Sequence, residues 1–261
     1  MDINIITSYI LIFLGITLWV ILIPGGKKIP HKVSDCITVF GGAFLLASCF
    51  INLIPHMFVQ GFETPNLHIK IGLAALVGFL IQTLLEMMTN SMEHGHNHCH
   101  DCHEEEEEDR DEHHHRHHVH PTTGLIIGLS IHAFLEGMPL VDSGGDIHQS
   151  LLYGIVLHNI PIALVLVAIF MHNGYGTLKS FLLLSVFAIM TPLGSMCNLL
   201  FVPDNAIVQA MIMGVVVGIL LHVSVSILFD SETDNRWLKL ALVIVAFAAA
   251  YFTPGCPEIY V

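Results

Sequence analysis

The sequence predicts an all-α polytopic membrane protein with eight transmembrane helices. Only 12% of its 261 residues are charged and 54% are hydrophobic, with a mean hydropathy of +0.71. A soluble domain carries about 25% charged residues. Eight apolar runs each approach the ~20 residues needed to cross a hydrocarbon core of roughly 30 Å. No block shows the strand-like alternation of a β-barrel.

The runs lie at about 5–23, 36–54, 71–89, 122–141, 150–171, 178–200, 207–229 and 237–253. The first is long and uniform, and residues 1–4 lack a basic region, so it reads as a retained helix rather than a signal peptide. Eight spans put both termini on one side. With the termini outside, the inner loops hold Lys27, Lys28, Lys32, Arg110, Arg116, Lys179, Arg236 and Lys239, against Lys70 alone on the outer side. The positive-inside rule therefore places both termini outside. The chain divides into helices 1–3 (1–92), a cytoplasmic loop (93–121) and helices 4–8 (122–261).

That loop, "EHGHNHCHDCHEEEEEDRDEHHHRHHVHP", holds almost no apolar residue and cannot build a core. Residues 93–120 carry ten carboxylates and two arginines, which is −8 of the formal net charge of −13. The acidity is thus local and implies no global acidic surface. The loop's metal-type side chains are His94, His96, His98, Cys99, His100, Cys102, His103, His113, His114, His115, His117, His118 and His120. Imidazole and thiolate suit zinc, so the loop reads as a loose metal buffer or sensor, the bland alternative being an inert tether. Cys99 and Cys102 lie on the reducing side, and no disulfide framework is implied. The outer turn "VDSGGDIHQ" carries Asp142, Asp146 and His148, which read as ordinary solvation.

The chemistry sits in the fourth and fifth spans. His132 and Glu136 are i and i+4 near the middle of "GLIIGLSIHAFLEGMPLV" and share one helix face. An ionisable residue at that depth costs on the order of 3 kcal/mol on insertion scales, which marks function. The fifth span adds His158 and Asn159, with Pro161 two residues on. Pro139, Pro161 and Pro192 should free the carbonyls of Leu135, Leu157 and Ala188. Broken helices with polar side chains at the midplane are the form of a transporter substrate site. His132, Glu136 and His158 make a three-ligand metal set, with Asn159, a freed carbonyl or water as the fourth position. The rival is an interhelical His158–Glu136 hydrogen bond that only holds helices together. Accessory candidates are Asn52 and His56, as helix-end or gate residues, and His222, as a transient ligand, proton carrier or packing histidine. Glu86 reads as interfacial.

These residues resemble the ZIP family of zinc and iron transporters. The likeness rests on the His-x3-Glu-Gly of His132, Glu136 and Gly137, on His158, on the His-rich loop between helices 3 and 4, and on "GGAFLLASCFINLIPHM" and "AIMTPLGSMCN". It implies import of divalent metal, chiefly Zn²⁺, with no cofactor. It also implies inverted three-helix repeats (1–3 and 6–8) around helices 4 and 5, a homodimer in the bilayer, and helices 1, 4, 5 and 6 moving as one unit. The chain departs from the family's pattern at Ile162, where a carboxylate is usual, and at Ala133, Thr191, Asn52 and His56. These changes remove carboxylates and keep imidazoles. They imply one metal site rather than a bridged pair, favouring Zn²⁺ over Mn²⁺ and leaving Fe²⁺ or Cd²⁺ open.

No HExxH, Gly-x-Ser-x-Gly or Gly-x4-Gly-Lys-Ser/Thr motif is present, so no enzymatic activity and no ATP coupling are expected. The alternative class is a membrane metal sensor or non-transporting scaffold acting through the loop. A cation-diffusion exporter shares a His-rich loop but has six helices and His/Asp pairs that this chain lacks. The expected location is a bacterial inner membrane.

Overall fold

Backbone in a lipid core must satisfy its own N–H and C=O groups, and each predicted run does so as a helix. The computed structural model describes residues 3–22, 31–59, 66–93, 121–141, 144–203, 205–230 and 235–253. The 94–120 segment, with every histidine and cysteine assigned to the loop, lies outside the described residues.

The elements in order are α1 (Ile3–Leu22), α2 (His31–Ser48), a π turn (Cys49–Leu53), α3 (Ile54–Val59) and α4 (Leu67–Glu93). Then come α5 (Pro121–Gly137), a 3₁₀ turn (Met138–Leu140), α6 (Gln149–His172), α7 (Thr177–Phe201), α8 (Ala206–Asp230) and α9 (Arg236–Phe252). Among the described residues, six rods are long and apolar enough to cross a membrane: α1, the α2–α3 rod, α4, α6, α7 and α8. The other two helices, α5 and α9, have 17 residues each, near the lower limit for a span.

Prolines shape the rods differently from the sequence expectation. Pro161 and Pro192 lie inside α6 and α7, which run through them unbroken. Pro139 falls beyond the last turn of α5, in the 3₁₀ turn, and therefore ends that helix instead of kinking it. Pro55 has no N–H to give the preceding turn, and the chain there widens into the π turn, where Ile54 N–H donates to the Cys49 carbonyl.

Two sets of helices pack together. One contains α1, α5, α6 and α7; the other contains α2, α4, α8 and α9. They meet where α2 lies along α6 and α4 along α5. Small residues allow the closest crossings, as is general in membranes. A Cβ on Gly137 would overlap the Thr191 carbonyl, and one on Gly194 the Phe134 carbonyl, so α5 and α7 touch backbone to backbone. Gly78 and Gly218 do the same for α4 and α8, against Val215 and Ala75. The opposite face of α4 leaves Leu73, Leu76, Leu80 and Leu84 exposed, a stripe suited to lipid.

Gly218→Val should therefore destabilise the protein by about 1–3 kcal/mol through overpacking, read as a lower thermal midpoint in detergent. Gly72→Ala, where a Cβ meets nothing within 4 Å, should leave the midpoint unchanged. Equal midpoints for the two variants would contradict the α4–α8 crossing.

Candidate metal centre

His132 and Glu136 lie one turn apart on α5, and the Gly137–Gly194 approach presses that turn against α7. His158 and Asn159 arrive from α6, one turn before Pro161. The Leu157 carbonyl, which Pro161 leaves without its helical donor, is covered by Gly41 of α2, 3.0 Å from where a Cβ would stand. All four side chains are withdrawn from solvent: His132 is 3% exposed, and Glu136, His158 and Asn159 are 0%.

Their polar atoms converge. Glu136 Oε2 lies 3.1 Å from His132 Nε2 and 3.0 Å from His158 Nε2. Glu136 Oε1 accepts from Asn159 Nδ2 at 3.0 Å. Asn159 thus turns its amide nitrogen to the carboxylate, while its Oδ1 is buried without a hydrogen-bond partner. Among the described residues, His132, Glu136 and His158 are the one group of three or more metal-type side chains, their ligand atoms all within 4.8 Å of one another.

The outer partners of the rings decide what the centre offers. His158 Nδ1 donates to the Gly154 carbonyl at 2.7 Å. His132 Nδ1 donates to Gln82 Oε1 on α4 at 3.0 Å. With both Nδ1 atoms engaged, each ring turns its Nε2 toward the same carboxylate oxygen. Beyond these mutual contacts, no further partner reaches either Nε2 or Glu136 Oε2. Three acceptors can share such a space only around positive charge, a ring proton or a cation. Ligand atoms around a tetrahedral zinc ion stand roughly 3.3 Å apart at Zn–N and Zn–O distances near 2.0 Å, and the two edges to Glu136 Oε2 match that length.

The remaining predicted residues fall elsewhere. His222 Nδ1 lies 3.5 Å from Glu86 Oε2, and its ring sits edge-on to Phe79 with centroids 4.7 Å apart. It joins α8 to α4 and is no member of the three-residue group. Asn52 is buried in the π turn with Nδ2 unbonded. His56 packs edge-on against His148, centroids 4.8 Å apart. His148, which the sequence assigns to solvation, is 5% exposed. Burial first, and then the His56 ring, pull His148 down to about 4 against the opposing effect of Asp146, so its imidazole is neutral near pH 7. Gln82 escaped the sequence reading, although a lone amide inside "GFLIQTLLE" is itself a polar signal at membrane depth.

An apolar helical bundle with a buried His–Glu–His cluster defines a membrane protein equipped to handle a metal ion. Residues 2–252 match the ZIP zinc transporter family, and the chain belongs to it. No curated protein matches the chain. Membership implies divalent metal transport across a membrane, and the family's members are transporters, not enzymes.

Partners of metal-bound histidines tune affinity by 10–100-fold. Gln82→Leu removes the acceptor that fixes His132, and should weaken divalent-metal transport by about that factor in apparent KM. An unchanged KM would show that His132 is oriented by something else.

Proposed function

We propose that the protein imports zinc into the cytoplasm through a single intramembrane site formed by His132, Glu136 and His158. The observation that carries this reading is the convergence of two Nε2 atoms on one buried carboxylate oxygen, with no other partner for any of the three. A divalent cation answers that arrangement: Glu136 offsets part of its charge, and two neutral imidazoles favour Zn²⁺ over harder ions. Asn159 holds the second carboxylate oxygen, and its Oδ1, or water, completes the coordination.

Ion release requires the site to change its access. All three proposed ligands belong to the α1/α5/α6/α7 set, while Gln82 belongs to the other. The first set is suited to carry the ion as a unit, with the Gln82–His132 bond as the contact that breaks. In this reading the chain crosses the membrane eight times with both termini outside, as the distribution of lysine and arginine supports. Residues 93–121 then face the cytoplasm and collect or sense the incoming metal. Inverted three-helix repeats and a homodimer complete the architecture.

Zinc flux into proteoliposomes, with a zinc-reporting dye inside, tests the site. His132→Ala and Glu136→Ala should each abolish flux while the protein remains monodisperse. Normal uptake by either variant would overturn the assignment. A well-folded wild type without flux would instead favour the sensor reading and shift attention to the loop.

A further inference from the structure

A second pair of histidines lies beyond the centre, on the outer side in the orientation proposed above. The turn after α5 doubles back: Val141 bridges Ile147, and His148 N–H donates to the Leu140 carbonyl at 3.0 Å. This brings the His148 ring against His56 of α3, although 92 residues separate them in the chain. Both rings are buried, at 6% for His56 and 5% for His148.

The two rings line a cavity of about 20 Å³, space for one ion or water, together with Met57, Met213, Pro139 and Val141. Imidazole is a borderline donor and thioether a soft one, the Gln209 amide also lines the cavity, and no carboxylate does. Two imidazoles on one tetrahedral zinc ion, at Zn–N near 2.0 Å, set their ring centres roughly 5 Å apart. Here the centres stand at 4.8 Å. Pro139, in the cavity wall, follows Glu136 by three residues on the same strand of backbone, so the cavity lies about one helical turn from the centre.

We infer that His56 and His148 form a second, outer station that captures a zinc-like transition-metal ion and passes it to Glu136. The hand-over part rests on the transport reading above; the binding part does not. A station of two neutral imidazoles holds a dication more weakly than a centre with a carboxylate. That difference draws the ion inward while letting the outer pair exchange ions with solution.

Cadmium-113 NMR of the full-length protein carrying Glu136→Ala tests the binding directly. Beside the resonances of the histidine-rich loop, we expect one in the nitrogen-ligand range that disappears with His148→Gln and with His56→Gln. His148→Cys should restore it, shifted toward thiolate ligation, which a ring that merely packs would not allow. With Glu136 intact, His148→Gln should raise the apparent KM for zinc uptake about tenfold while the saturating rate stays within about twofold. A spectrum that both histidine variants leave unchanged, or a His148→Cys protein that gains no thiolate-shifted resonance over His148→Gln, would overturn the station. Zinc uptake that survives Glu136→Ala would overturn the centre instead, and leave the NMR result to stand on its own.

Discussion

The structure depends on one buried carboxylate. Glu136 has no access to solvent, and an ion in such a place carries a desolvation penalty of several kcal/mol unless its surroundings offset it. The surroundings of Glu136 are two ring nitrogens and one amide, and their placement dictates much of the fold. His132 reaches it along α5, which requires one helix face. His158 and Asn159 reach it from α6, which packs on α7 as α5 does. The Gly137–Gly194 crossing presses the Glu136 turn onto α7, and the Gln82 and Gly154 oxygens fix which ring nitrogens turn inward.

That arrangement also explains how a site of so few charges discriminates. At Ala133, Ile162 and Thr191, where the family resemblance implies polar or acidic residues, this chain is apolar or uncharged. One carboxylate and two imidazoles leave a net positive charge on a bound dication. A partly compensated, soft-ligand site suits an ion that must be released again, since binding too tight to leave would stall transport. The soft His56–His148 pair extends the same chemistry outward.

Much of this was legible in the sequence because hydrophobic length and i, i+4 spacing are local properties. The eight runs are all helical, and His132, Glu136, His158 and Asn159 do come together. What the sequence concealed is nonlocal. Gln82 looks like a single polar residue in a lipid-facing helix until α4 is laid along α5. His148 looks like a turn residue in water until the Val141–Ile147 bridge folds it inward onto His56. The prolines misled for a related reason: a carbonyl deprived of its donor suggests a broken helix, yet α6 stays whole with Gly41 packed over the Leu157 carbonyl.

The central claim is that a metal ion sits between Glu136 and two histidines, and its coordination shell is measurable. Zinc X-ray absorption on protein lacking residues 94–120 and carrying His148→Gln, loaded with one equivalent, should show two imidazole nitrogens and one or two oxygens, with no sulfur. That shell should vanish in the Glu136→Ala variant of the same protein. A sulfur-containing or all-oxygen shell, or one that Glu136→Ala leaves intact, would contradict the account.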